Sequence, residues 1–167
     1  MNPFSRGEVS FRVIHDEDKD FLIRVYADSR AWELAHTHWD KSEWDDFVRR
    51  QYEYQDLHYK RSYIGALHRI IQLDGQDIGR LIVNRRDDAM HIIDLTILES
   101  HQGKGIGTDI LKSLMNEAHN GRVPVLLSVE QGNPAIALYQ RLGFQRVKEE
   151  GRHISMRWTP MIQNREI

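Results

Sequence analysis

The spacing of hydrophobic and polar positions along this chain predicts an ordered series of strands and helices. Alternating apolar and polar residues predict a strand over residues 8–14. Apolar residues at helical spacing then predict one helix that begins after Asp18 and a second that runs from Ser42 to about Lys60. We expect Ser42 and Asp45 to form the capping box of this second helix.

The remainder of the chain predicts three strands, a helix, a strand, a helix and two strands. These elements are expected at residues 63–73, 77–84, 91–98, 106–118, 123–129, 134–142, 144–149 and 153–158. Asp74-Gly75 lies between the first two strands and is a strong hairpin signal. The hairpins predict an α/β fold with a mixed, mostly antiparallel central sheet flanked by helices. We expect one domain over residues 1–167, with loose tails at 1–7 and 160–167.

Composition narrows the classes of function. A chain of 167 residues with 40% hydrophobic and 29% charged residues suits one soluble domain. Its formal charge of −2 gives no general attraction to nucleic acid. Cysteine is absent, and His36 and His38 lack further ligands at a suitable spacing, so we expect no metal site. The sequence shows neither a long apolar run nor a leader, which predicts a cytoplasmic protein without membrane partners.

A glycine-rich turn over residues 102–107 joins the strand at 91–98 to the helix that follows, which is typical of a phosphate-binding loop. A P-loop is excluded because Gly107 is followed by Thr108 and not by lysine. A dinucleotide fingerprint that starts at Gly103 requires a third glycine where Thr108 stands. The pattern that fits is Gln/Arg-x-x-Gly-x-Gly/Ala, with Gln102, Gly105 and Gly107.

This pattern resembles the acyl-CoA pyrophosphate loop of the GCN5-related N-acetyltransferases, the GNAT family. A second segment, over residues 133–144, is similar to the family signature Asn-x-x-Ala-x-x-Leu-Tyr-x-x-x-Gly-Phe. Ala135, Leu138 and Tyr139 match that signature, whereas Asn133 lies one residue nearer to Tyr139 than the full pattern has it. Asn133 is also a favoured N-cap for the predicted helix. The order of elements along nearly the whole chain is the order expected of the acetyltransferase fold.

The resemblance implies an enzyme that moves an acetyl group from acetyl-CoA to a primary amine of a small molecule or protein, by direct attack in a ternary complex. It implies that Tyr139 protonates the departing CoA thiolate, and that a backbone N–H of Ile97 or Leu98 polarises the thioester carbonyl. The residues that it places against CoA are Ile97, Leu98, Glu99, Gln102, Gly103, Lys104, Gly105, Ile106, Gly107, Thr108 and Asn133.

The sequence defines the general base and the acceptor site less clearly than the CoA-binding residues. His91 and Asp94 are the base candidates, and Asp94 has a structural alternative as the ion-pair partner of Arg80. The acceptor wall is expected from two early helices, with Trp32, Glu33, Gln51, Gln55 and His58. The alternative for these five residues is a solvated helix face beside core aromatics.

Several alternatives stay open from the sequence. The chain is an acetyltransferase or, alternatively, a non-catalytic acyl-CoA-binding sensor or assembly module. The amine acceptor, the length of the acyl group and the oligomeric state are not defined, although dimers are common in the family.

Overall fold

In the computed structural model, which describes residues 7–161, seven strands form one sheet. The strands are β1 Val9–Val13, β2 Leu67–Leu73, β3 Gln76–Arg85, β4 Met90–Ile97, β5 Val125–Glu130, β6 Gln145–Glu150 and β7 His153–Trp158. The helices are α1 Lys19–Ser29, α2 Ala31–Leu34, α3 Lys41–Ser62, α4 Ile106–Asn120 and α5 Ala135–Arg141. Short 3₁₀ helices occupy Asp16–Asp18 and Glu99–His101.

The sheet is mixed, as predicted. Its strand order is β1-β2-β3-β4-β5-β7-β6. β4 and β5 pair in parallel, with Met90 opposite Val125 and Ile92 opposite Leu127. The β1–β2, β5–β7 and β6–β7 pairs are antiparallel. The strand-glycine turn-helix unit predicted around residues 91–118 therefore lies at a parallel pair in an otherwise largely antiparallel sheet.

The chain divides into two compact units. The first runs to Ile82 and includes Asp94–Gly107, and the second comprises Val83–Ile93 and the chain from Thr108 onward. In the first unit, α1 and α3 bury apolar residues at helical spacing against Ile70 of β2, including Leu22, Tyr26, Val48 and Tyr52. In the second unit, the buried residues recur at helical spacing on α4 and alternate on β5.

The capping box of α3 differs from the prediction. The helix begins at Lys41, and Asp40 is its N-cap, so the box expected from Ser42 and Asp45 is wrong. Asp40 Oδ1 accepts the Glu43 N–H at 2.9 Å, and Glu43 Oε2 accepts the Asp40 N–H at 2.9 Å. The acidic pair satisfies two backbone donors reciprocally, two residues before the pair that we expected.

Two turns bear on the predicted strands around residues 63–84. Asp74 and Gly75 have φ angles of +50° and +78°, the left-handed pair that a tight hairpin requires, so this hairpin is confirmed. β2 begins at Leu67 and not at residue 63, because the Ala66 N–H bonds to the Tyr63 carbonyl in a turn. Of the two tails predicted, residues 1–6 and 162–167 lie outside the described residues, whereas Pro160 is buried.

Candidate functional site

The glycine-rich loop of residues 102–105 connects the 3₁₀ helix Glu99–His101 to the N-terminus of α4. Gly103 and Gly105 have φ angles of +72° and +80°, in the left-handed region that glycine adopts most readily. A Cβ built on Gly103 meets no atom within 4 Å, so the loop is open on that side. Backbone N–H groups and the positive end of the helix dipole meet here, an arrangement that binds phosphate groups.

Hydrogen bonds from a backbone and a side-chain donor hold the chain where β4 ends. The Leu98 N–H donates to the Ile78 carbonyl at 2.8 Å. The side-chain amide of Gln102 donates to the Ile97 carbonyl at 2.8 Å and ties the loop to the strand. Because the Leu98 N–H is engaged with β3, the Ile97 N–H is the better candidate to polarise a thioester carbonyl. A direct contact between Gln102 and pyrophosphate stays a prediction.

Gly105 and Gly107 offer a matched pair of variants. Gly107 lies outside the left-handed region, and a Cβ there would be an ordinary 3.6 Å from Ile97 Cδ1. We expect Gly107→Ala to keep its melting temperature and its affinity for CoA. Gly105→Ala is expected to lose about 1 kcal/mol of stability, because alanine must take a left-handed conformation, and to lose CoA affinity several-fold. Calorimetric titration with CoA and thermal melting test both, and equal affinity in the two variants would argue against this loop as the pyrophosphate site.

A buried ion pair joins β3 to β4 in the first unit. The Arg80 side chain is 4% exposed and that of Asp94 is 12% exposed. Asp94 Oδ2 accepts from Arg80 Nε at 2.9 Å and also from Arg80 Nη2. Asp94 Oδ1 accepts from the Thr96 hydroxyl at 2.6 Å. Both carboxylate oxygens are thus engaged, which supports the structural alternative for Asp94, while its role as a base stays a prediction.

Aromatic and amide side chains of α3 surround the Arg80 guanidinium. It lies 5.6 Å from the ring centre of Tyr52 and 6.0 Å from that of Tyr59, and it donates through Nη2 to Gln55 Oε1 at 2.7 Å. Its buried Nη1 has no hydrogen-bond partner within residues 7–161. Burial, with a further contribution from the Asp94 charge, raises the pKa of Tyr59 to about 12. Tyr59 therefore stays neutral at physiological pH.

The residues expected to form the acceptor wall are Trp32, Glu33, Gln51, Gln55 and His58. Gln55 is the one that contacts the Arg80–Asp94 pair. Glu33 forms an ion pair with Arg30 at 2.7 Å, and Trp32 and His58 are exposed. The role of all five toward an acceptor stays a prediction.

A cavity of about 350 Å³ in the first unit contains two residues that the sequence analysis missed. Arg24 and Asp28 of α1 line it, together with Leu98, Glu99 and Ser100 after β4. Asp28 Oδ2 accepts the Glu99 N–H at 2.5 Å, so α1 holds the end of the strand. The spacing of Arg24 and Asp28 puts both on one helix face. The local sequence pattern does not indicate that this helix face contacts a segment 71 residues further along the chain.

In the second unit, α5 carries Tyr139. Its half-buried ring lies 5.8 Å from the ring of Phe144. Asn133 Oδ1 accepts the Ala135 N–H at 2.9 Å. The N-cap of α5 is Pro134 and the helix begins at Ala135, so the prediction that Asn133 is the N-cap and Pro134 the first helical residue is wrong by one position. The acid role of Tyr139 and the contact of Asn133 with CoA stay predictions.

Comparison with known families supports the resemblance carried by the loop and by α5. Residues 34–164 match the family described as acetyltransferase (GNAT) domain, which is well over half of the chain. The chain belongs to the GNAT acetyltransferase family.

Among curated relatives of this GNAT chain, an N-alpha-acetyltransferase of Saccharolobus solfataricus is 38% identical over 61 residues. The aligned part is 35% of this chain and 36% of that relative. The chain thus matches about a third of the relative's length. A match of this length does not show that the two proteins share an acceptor.

Solved structures confirm the acetyltransferase fold. The PaiA N-acetyltransferase from Thermoplasma acidophilum, in complex with coenzyme A, superposes with a TM-score of 0.67 at 20% sequence identity. The superposition covers 91% of this chain and 99% of the PaiA chain. An acetyltransferase from Thermus thermophilus gives a TM-score of 0.67 at 21% identity, over 92% and 98%. At these identities the similarity shows the fold alone.

His91 of this GNAT chain lies on β4 opposite Leu126 of β5 and is half-buried. Burial lowers its pKa, and the positive charge of Arg86 lowers it further. The imidazole is therefore neutral at pH 7 and can accept a proton, as a relay requires. Its role as the base stays a prediction.

The lowered pKa of His91 predicts a pH dependence of stability. The unfolded histidine, with a pKa of about 6.5, takes up its proton before the folded one does. The contribution of neutral His91 to the free energy of unfolding is therefore complete above about pH 6.5, and it is lost as the pH falls through the lower pKa of the folded state. We expect the melting temperature to fall on acidification below pH 7, and His91→Gln to reduce that fall. His38→Gln, at an exposed histidine, is the control, and an equal slope in both variants would contradict the assignment.

Two further properties concern the part of the chain that the structure describes. None of its helices is long and apolar enough to cross a membrane. Within the same residues, no group of three or more histidine, aspartate or glutamate side chains is arranged to hold a metal ion.

Proposed function

We propose that this protein is an enzyme that transfers the acetyl group of acetyl-CoA to a primary amine of a small molecule or protein. The observation that carries the proposal is the glycine loop at the start of α4, one short 3₁₀ helix after β4, in a chain that belongs to the GNAT family. The end of β4 is tied on one side to Ile78 and on the other to Asp28. A strand end fixed in this way suits a site that must hold a thioester in one orientation.

The loop fits the pyrophosphate of CoA. Left-handed Gly103 and Gly105 leave room for a close approach to the backbone, and α4 presents its N-terminus. Lys104 is exposed beside them and adds a positive charge. The Ile97 N–H suits the pantetheine arm, whereas the Glu99 N–H is bonded to Asp28 and the Glu99 carbonyl to the Gln102 N–H. CoA supplies a thioester, in which the acetyl carbon is activated toward attack.

The reaction needs three contributions from the chain. The amine nitrogen forms a bond to the acetyl carbon, and the C–S bond breaks with its electron pair on sulfur. The Ile97 N–H is our candidate to stabilise the oxyanion, and Tyr139 is our candidate to give its proton to the thiolate. The amine loses a proton to a base, for which His91 is our candidate. The direct attack takes place in a ternary complex without an acyl-enzyme.

The non-catalytic acyl-CoA-binding alternative is not favoured by any feature of the described residues or by the comparisons. A cytoplasmic location, a single domain over the whole chain, and the absence of nucleic acid and membrane partners stay predictions. Homodimer formation and the use of acyl groups longer than acetyl are left open.

Thermal melting with ligands tests the proposal. A ligand at 100 times its dissociation constant stabilises a fold by about 2.7 kcal/mol. We expect acetyl-CoA and CoA to raise the melting temperature accordingly, and ATP and NAD to raise it much less. A shift with ATP and none with CoA would reject acyl-CoA binding. Release of free thiol from acetyl-CoA in the presence of an amine then separates an enzyme from a binding module.

A further inference from the structure

The cavity between α1 and the end of β4 is lined by charged side chains of both signs. Arg24, Asp28 and Glu99 all line it. Within residues 7–161, neither the Arg24 guanidinium nor the Glu99 carboxylate takes part in an ion pair or a side-chain hydrogen bond. A ligand that enters this cavity therefore meets one cation and two carboxylates.

Asp28 differs from an ordinary surface carboxylate because the fold holds it in place. Its Oδ2 accepts the Glu99 N–H at 2.5 Å, whereas its Oδ1 has no partner among the described residues. Asp28 is half-buried. A carboxylate that is already oriented loses little side-chain freedom when it binds an ammonium group.

The cavity lies beside the segment that is proposed to hold the acyl-CoA arm. Leu98 and Glu99, which border the cavity, directly follow the end of β4, where the proposed function places the acyl-CoA arm. An attacking amine must approach that strand end. The inference that follows therefore rests on the proposed function.

We propose that this cavity binds an acceptor whose primary amine and whose carbonyl or carboxylate are attached to the same carbon, as in an α-amino acid or a peptide N-terminus. Asp28 takes the ammonium group, and Arg24 takes the oxygen. The two side chains start about 5–6 Å apart on one helix face, a separation that suits groups on neighbouring atoms. A simple alkylamine leaves Arg24 without a contact, and so does a diamine, whose second ammonium group meets Glu99 instead.

The test uses the full-length protein with acetyl-CoA and measures thiol release. Alanine, alanine amide, trialanine, ethylamine and putrescine serve as acceptors. We expect kcat/KM to be at least about tenfold higher for the α-amino acceptors than for ethylamine or putrescine, since a hydrogen bond to a charged group is worth that factor or more. The ratio of alanine to trialanine distinguishes a free amino acid from a peptide N-terminus.

Variants separate recognition from folding. Arg24→Gln is expected to raise the KM of α-amino acceptors about tenfold, with the KM of acetyl-CoA and the melting temperature unchanged. Asp28→Asn keeps an oxygen for the Glu99 N–H but loses the charge, so it should raise the acceptor KM without unfolding the protein. Arg50→Gln, at another exposed arginine without an ion pair in residues 7–161, is the control and should behave as wild type.

The outcomes separate this inference from the proposed function. A preference for ethylamine or putrescine, equal effects of Arg24→Gln on all acceptors, or a CoA-dependent melting shift without turnover of α-amino acceptors overturns the inference alone. The absence of both turnover and a CoA-dependent melting shift overturns the proposed function, and this inference with it.

Discussion

Replacing Asp94 with leucine is expected to lower the free energy of unfolding by about 3–5 kcal/mol, the usual cost of removing one partner from a buried ion pair. The substitution leaves the Arg80 guanidinium, whose side chain is 4% exposed, without its carboxylate. Gln55 is the remaining hydrogen-bond acceptor of Arg80, and Nη1 has no partner within residues 7–161. The faces of Tyr52 and Tyr59 offset only part of the loss. Urea denaturation measures the change.

Two further variants make this expectation specific. Asp45→Ala removes an exposed partner of Lys41 on α3 and should cost less than about 0.5 kcal/mol. The double variant Arg80→Leu with Asp94→Leu should recover much of the loss, because no buried charge is left unpaired. If Asp94→Leu were as mild as Asp45→Ala, the pair would not be structural.

The same experiment weighs the two roles of Asp94. Asp94→Asn keeps the shape of the side chain and an acceptor oxygen but cannot take a proton as a base. A loss of turnover with an unchanged melting temperature supports a catalytic base, and a loss of stability with retained turnover supports the ion pair. We expect the second result, because the carboxylate oxygens of Asp94 are already bonded to Arg80 and Thr96.

Local patterns predicted the parts of the fold that depend on local physics. The hairpin at Asp74-Gly75 follows from backbone sterics, since few other pairs adopt two successive left-handed residues. The loop before α4 follows in the same way from its glycines. The capping box of α3 shows the limit of this reasoning. Asp40 with Glu43 and Ser42 with Asp45 both have suitable spacing, and which pair closes depends on where the preceding chain turns.

Apart from the Arg80–Asp94 pair, which was one of the alternatives, side-chain contacts between distant segments were not predicted from the sequence. Asp28 and Glu99 are 71 residues apart, and only the packing of α1 near the end of β4 brings them together. The Gln102 amide bonds to the Ile97 carbonyl and ties the loop to the strand, a contact that the spacing did not predict. Composition and spacing identify groups that can bind, and the fold decides which of them are already engaged.

Tyr139→Phe is expected to lower kcat by at least about tenfold, within the factor of 10²–10⁴ that general acid catalysis supplies. A thiol leaving group has a pKa of about 8.5 and a tyrosine of about 10, so the phenol is protonated at pH 7 and can give its proton as charge develops on sulfur. The variant keeps the ring that packs 5.8 Å from Phe144 and removes only the hydroxyl. Melting temperature and CoA affinity should therefore change little.

Steady-state kinetics with a slow acceptor, for which chemistry limits the rate, provide the measurement. The solvent-exposed Tyr54 on α3 supplies the control, since Tyr54→Phe removes a hydroxyl from a side chain that is 74% exposed and should leave kcat unchanged. A loss of kcat and kcat/KM by the same factor in Tyr139→Phe indicates an interaction made in the transition state, whereas a rise in the KM of acetyl-CoA alone indicates a binding role. Wild-type kcat in Tyr139→Phe on this acceptor would remove the acid role from Tyr139, because water would then be a sufficient proton donor to the departing thiolate.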